Sequence, residues 1–185
     1  VMMHARQLEY PMGSFLEGIS ERMKSADITV ANMEFTLAGK PYSGYPAFSA
    51  PDEYAPYVKD CGTDIFLTAN NHILDKGIRG LERTDSVYRA MEKDGLIQFT
   101  GTSRDSADNA IRYPLVINTK GFRIALVNFT YGTNLRWQGG WPKVNIIDRQ
   151  DISAALTKAK NRGADFVIAL PHWVVEYELR HSRSQ

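Results

Sequence analysis

Hydrophobic residues fall along this chain in two rhythms: short unbroken runs, and longer stretches in which they recur every three or four positions. The short runs predict strands, because a strand covered on both faces needs apolar side chains at successive positions. Ile28, Thr29, Val30 and Ala31 form one, Ile65 to Ala69 a second, Ile97 to Thr100 a third, and Phe166 to Leu170 the last. Residues 113–119 and 122–130 flank Lys120 and Gly121, a pair suited to a tight turn, and predict an antiparallel hairpin. The helical rhythm predicts a helix over 14–25, with Phe15, Ile19 and Met23 on one face and a Ser14-x-x-Glu17 capping box at its start. A second helix is expected over 51–61, although Pro56 sits awkwardly inside it. A third over 78–93 carries Leu81, Thr84, Val87, Tyr88 and Met91 on one face and stops at Gly95. A fourth over 150–162 is capped by Asp148, turns Ile152, Leu156 and Ala159 inward, and stops at Gly163. Residues 38–51 and 131–143 hold too many Gly and Pro for regular structure and are read as long surface loops.

Strands alternating with amphipathic helices give an α/β class, and the hairpin makes the sheet mixed rather than purely parallel. Composition adds limits. With 43% hydrophobic residues over 185 positions the chain can bury a core of one domain's size. Its formal net charge of +1 offers no electrostatic case for nucleic acid. The one cysteine, Cys61, excludes an internal disulfide and is read as a buried thiol near a helix end. No apolar run reaches the roughly 18 residues that span a bilayer, and no secretory leader is visible. The first and last residues look like parts of unfinished elements, so a fragment is expected.

Candidate chemistry lies where the apolar runs end. The first delivers Asn32 and Glu34, the second Asn70, Asn71 and His72, and the last His172. In α/β sheets the loops beyond the carboxyl ends of strands converge on one crevice. Carboxylate, amide oxygen and imidazole suit divalent first-row metals. Each residue also has a plainer use: Glu34 as a cap or surface charge, Asn70 and Asn71 as a turn pair, His72 and His172 as histidines satisfied by local bonds. Their joint placement after three strands favours chemistry. His4 and His181 lack that placement and are read as structural.

These residues carry a resemblance. Asn32-Met33-Glu34, Ala69-Asn70-Asn71-His72 with Asp75 and Gly77, and His172-Trp173 with Glu176 and Tyr177 are similar to the motifs of CapA-like proteins. That family is named for poly-γ-glutamate capsule biosynthesis and belongs to the calcineurin-like metallophosphatase superfamily. Gly101, the Tyr113-Pro114 start of the hairpin and the strand over 122–130 fit the same pattern.

The resemblance implies a mixed-sheet, four-layer α/β/β/α sandwich over 1–185, incomplete at both termini, with two divalent ions (Mn, Fe or Zn) at the strand ends. By position Glu34, Asn71 and His172 are the implied metal ligands, and His72 the outer histidine that acts on developing charge. Asn32, Asn70, Trp173, Glu176 and Tyr177 are the implied pocket residues. Two departures stand out. The family's Gly-Asp pair upstream and its His-Pro-His element downstream lie outside this sequence, and Val174 occupies a position where the family usually has Gly.

The expected activity is metal-dependent hydrolysis or transfer at a phosphoryl or acyl centre, on an anionic polymer or a phosphoester. Membrane proteins of capsule synthesis are the implied partners, and the cell envelope the implied location. Two other readings remain open. One is a catalytically silent polymer-binding or assembly component that uses Tyr42, Tyr45, Phe48, Tyr131, Trp137 and Trp141, aromatics that could equally be loop packing. The other is a general phosphoesterase or nucleotidase.

Overall fold

The computed structural model describes residues 15–173. The chain builds two three-stranded sheets and a small two-stranded ribbon. Strands β1 (Val30–Asn32), β2 (Ile65–Leu67) and β3 (Gln98–Thr100) pair in parallel in that order, so Asn32, Leu67 and Thr100 end at one level. In the second sheet β5 (Leu115–Thr119) and β6 (Phe122–Thr130) form the expected hairpin, and β8 (Phe166–His172) runs parallel to β6, with Thr130 opposite His172. Lys120 and Gly121 both take positive φ, 47° and 85°, which is what a two-residue hairpin turn requires. The ribbon joins β4 (Thr102–Ser103) to β7 (Lys143–Val144), a pairing that the sequence reading missed because each strand is too short to show a period.

The strands' alternation sorts the core into three seams. Ile65 and Leu67 of β2 meet Leu115, Ile117, Ile124 and Leu126 of the second sheet, filling the space between the sheets. The residue between them, Phe66, points the other way and packs with Phe99, Tyr88 and Met91 beneath helix α3 (Gly77–Lys93). On the outer face of the second sheet Val127 and Phe129 pack against Ala155 of α5 (Arg149–Asn161). Helix, sheet, sheet, helix is therefore the layer order, the α/β/β/α sandwich that the sequence led us to expect. Burying a side chain of this size is worth roughly 1.5–3 kcal/mol, so these seams dominate the fold's stability.

Helix ends follow local chemistry. Asp148 accepts hydrogen bonds from the backbone N–H groups of Gln150 and Asp151, and α5 begins there. Pro56 is tolerated in α2 (Tyr54–Asp60) because it falls in the first turn, where backbone N–H groups have no helical partner to lose. A short helix α4 (Ser106–Arg112), absent from the sequence reading, starts at Asp105, whose side chain accepts from the N–H of Asp108.

Three expectations need correction. Helix α1 spans Glu17–Ser25, starts from Leu16 without a side-chain cap, and buries none of its residues; Ile19 is 51% exposed. Glu17 is thus the helix's first residue and not the far arm of a capping box; Ser14 lies outside the described residues. Leu156, expected inward, is exposed at 43%, because α5 rests on the sheet through the small side chains of Ala155 and Ala159. Phe166, Val167 and Ile168 are likewise exposed, since β8 pairs with β6 on one side and ends the described sheet.

Candidate functional site

The parallel strands β1, β2, β6 and β8 end on the same side of the molecule, and the segments leaving them meet there. Asn128 of β6 fixes their relative position. Its side chain accepts from the N–H of Ala69 (2.9 Å) and donates to the carbonyl of Leu170 (2.9 Å), tying the exit of β2 to β8 across the two sheets. Gly101 makes room for that link: a Cβ there would lie 2.2 Å from Asn128 Oδ1 and 2.3 Å from the nitrogen of Ala69.

Glu34, Asn71 and His172 come together at this seam. His172 Nε2 lies 2.9 Å from Asn71 Oδ1 and 3.8 Å from Glu34 Oε1. His72 Nε2 lies 4.0 Å from the same Glu34 oxygen, so one carboxylate faces both imidazoles. Asn32 donates to the other oxygen of Glu34 (3.0 Å) and lies 3.4 Å from His172 Nδ1, which aligns carboxylate and ring with each other. Tyr131 stacks on the ring of His172, with centroids 6.1 Å apart. Burial lowers the pKa of His172 from its usual value; the charge of Glu34 opposes this and His72 reinforces it. The imidazole is thus neutral near pH 7, the state in which a ring nitrogen offers a lone pair.

His72 is buried and held from its far side. Its Nδ1–H donates to Asp75 Oδ2 (2.7 Å), since a carboxylate can only accept, and this leaves Nε2 facing the Glu34 side. Asp75 is itself fixed by the N–H of Phe48 (2.8 Å), and the Phe48 ring packs against His72 with centroids 4.5 Å apart. The 38–51 loop therefore reaches the site through Phe48. A bidentate Asp52–Arg83 pair (2.7 and 2.8 Å) anchors the loop's end to α3.

The donor set fits a divalent cation. Two ligands about 2.1 Å from one ion and at right angles to each other are about 3.0 Å apart, close to the Asn71–His172 separation. Among the described residues no cluster of three or more His, Cys, Asp and Glu side chains is arranged to hold an ion. A cation at this seam would therefore depend on the Asn71 amide oxygen together with the Glu34 carboxylate and the His172 imidazole.

The comparisons with known proteins agree with this architecture. The family model for the bacterial capsule synthesis protein PGA_cap matches residues 1–185. The chain belongs to the PGA_cap family. It is 25% identical over 180 residues to the capsule biosynthesis protein CapA of Bacillus anthracis, covering 90% of this chain and 42% of that protein. It is 29% identical over 128 residues to the PGA biosynthesis protein CapA of Bacillus subtilis (strain 168), covering 68% and 32%. An uncharacterized protein of Sinorhizobium fredii, y4sH, is 33% identical over 120 residues, covering 60% and 24%. The chain thus spans less than half the length of these curated relatives.

Within this PGA_cap domain the pocket residues expected from sequence divide. Asn32 is exposed at the seam. Asn70 is not open to any substrate: it is fully buried, donates to Asn32 Oδ1 (3.2 Å) and the Met33 carbonyl (3.0 Å), and accepts from the His72 N–H (3.1 Å). It joins the ends of β1 and β2. Trp173 packs edge-on against Phe129, while Glu176 and Tyr177 lie outside the described residues. Of the loop aromatics, Phe48 packs on His72 and Trp137 joins the core beside Ile73 and Leu81, whereas Tyr45 is 86% exposed.

Asp75, Phe48, Asn128 and Asn134 take part in the site without having been assigned a role from sequence. Asp75 carried a usable signal, three residues after His72, a spacing that lets a carboxylate turn back onto a histidine ring. The others arrive from separate loops and strands, and no local pattern announces them.

Proposed function

We propose that this PGA_cap domain is a metal-dependent hydrolase or transferase unit that acts at a phosphoryl or acyl centre during capsule polymer synthesis at the cell envelope. The convergence of Glu34, Asn71 and His172 beside a histidine oriented by a carboxylate is the observation that carries this reading. Two of the similar proteins are named for capsule or PGA biosynthesis, which supports an anionic polymer or its precursor as the substrate class.

In this proposal Glu34, Asn71 and His172 hold divalent ions, two in number if the domain follows its superfamily. When bound, such a cation polarises a phosphoryl or acyl oxygen and makes a neighbouring water more acidic. The chain's own residues do the rest. Asp75 holds the His72 proton on Nδ1, so Nε2 faces the substrate position and moves a proton to or from the leaving group. Asn32 keeps the Glu34 carboxylate turned toward both imidazoles. Phe48 and Tyr131, packed on the two rings, exclude water from their faces.

The test is turnover of a simple phosphoester, p-nitrophenyl phosphate, by the full-length protein supplied with Mn2+. His72→Ala is expected to lower turnover about 100-fold or more, and His172→Ala to abolish Mn2+-dependent turnover. Equal activity in both variants and the parent would remove these histidines from the chemistry. A catalytically silent, polymer-binding role is the second reading, favoured by the exposed aromatics Tyr45, Tyr131 and Trp141. Polyglutamate binding without metal uptake would establish it instead.

A further inference from the structure

The amide of Asn71 has two ends, and only one of them suits a cation. Its oxygen faces His172 Nε2 at 2.9 Å, while its nitrogen donates to Asn134 Oδ1 at 3.3 Å. An asparagine side chain can rotate to exchange the two ends at little steric cost, so something must specify the choice.

Following the contacts away from the seam shows what does. Asn134 arrives on the loop after β6, and its backbone N–H donates to the Asn71 carbonyl at 2.8 Å, which sets the two side chains beside each other. Its own amide nitrogen points toward Asp75 Oδ1 at 3.5 Å and His72 Nδ1 at 3.1 Å. Asp75 is a carboxylate and can only accept. Its other oxygen takes the His72 Nδ1 proton and the N–H of Phe48. If the Asn134 amide were reversed, its oxygen would face the Asp75 oxygen, acceptor against acceptor. Asn134 must therefore turn its NH2 toward Asp75 and its oxygen toward Asn71. Asn71 must then turn its NH2 toward Asn134 and its oxygen toward the seam.

We infer that Asn134 is a positioning residue that transmits the polarity of Asp75 to Asn71, so that Asn71 presents oxygen rather than nitrogen to the cation. The inference deepens the metal-binding proposal and, in its functional consequence, rests on it. One carboxylate thereby orders two sides of the site, orienting His72 directly and Asn71 through Asn134. Trp137 holds the loop that carries Asn134, packing with Ile73, Leu74 and Val144 and donating to the Pro142 carbonyl (3.2 Å).

Two measurements on the full-length protein test this. The first is Mn2+ affinity, read by the EPR signal of the free ion, for Asn134→Leu in two backgrounds. Against the natural Asn71 the substitution is expected to weaken binding about 10- to 100-fold, the usual effect of removing a partner that orients a metal ligand. In an Asn71→Asp background both ends of residue 71 are oxygen, and the same substitution is expected to cost less than about 3-fold on the same scale. Equal losses in the two backgrounds would mean that Asn134 merely packs, and would overturn the inference. The second measurement needs no metal: 15N NMR of the His172 ring. In the parent protein Nε2 carries the proton, donated to Asn71 Oδ1; Asn134→Leu is expected to shift the ring toward the Nδ1–H form. An unchanged tautomer would overturn the inference even if Mn2+ binds. A parent protein that binds no Mn2+ but shows the tautomer shift would sink the metal-binding proposal while upholding the orienting role of Asn134.

Discussion

At the scale of single residues, two histidines of the same strand-end cluster are set up for opposite tasks. His72 has one nitrogen committed to Asp75, so its other nitrogen is placed and its tautomer fixed. Replacing Asp75 by Asn allows the wrong tautomer while keeping the shape. Turnover of Asp75→Asn is expected to fall about 100-fold with Mn2+ affinity lowered much less; parent-like turnover would show that His72 needs no orientation. His172 is instead kept neutral, chiefly by burial and against the pull of Glu34. As pH falls, an unfolded chain protonates this histidine near its ordinary value of 6.5, before the folded chain does. Metal-free protein is therefore expected to lose stability below about pH 6.5 and through the lower folded value, and His172→Gln to lose less over that range. Urea midpoints at pH 7.5 and 5.5 check this; identical drops in both proteins would contradict it. From sequence, Glu34, Asn71 and His172 were legible because each follows an apolar run. Asn134 was not, since its role depends on a contact with a residue 63 positions earlier.

At the scale of elements, the strand ends are held in place by close approach rather than by long strands. β1, β2 and β3 are three residues each, too short to be rigid alone. Asn128 and Gly101 supply the tie, Asn128 by bonding the exits of β2 and β8 and Gly101 by leaving space at φ +122°. Gly101→Ala meets both a forbidden backbone conformation and hard contacts with Asn128 and Ala69. A loss of roughly 3 kcal/mol or more is expected in urea unfolding, or no soluble protein at all; a loss below about 1 kcal/mol would show that the junction yields. Helices with a strong period or a capping aspartate, α3 and α5, were legible to within a residue or so. Helix α4 was not, because seven residues with none buried leave no apolar rhythm to read. Helix α1 shows the converse: its helical spacing of apolar residues is present, but no face of it is buried.

At the scale of the whole molecule, a site forms because two sheets stack with their parallel strands ending on the same side. Ligands from the first sheet, Glu34 and Asn71, then face a ligand from the second, His172. Neither sheet has the set alone. The layer order could be argued from alternation of strands and helices, whereas the stacking that unites the ligands depends on the interleaving of Ile65 and Leu67 with Leu115, Ile117 and Leu126, which pair residues far apart in sequence. The claim at the centre is that these three side chains share a divalent cation. Equilibrium titration of the metal-free, full-length protein with Mn2+ tests it most directly, comparing the parent with Glu34→Ala, Asn71→Ala and His172→Ala. Stoichiometric binding by the parent, weakened at least about 10-fold by each substitution, is the predicted result. A parent that takes up no ion, or three variants that bind as it does, would contradict it.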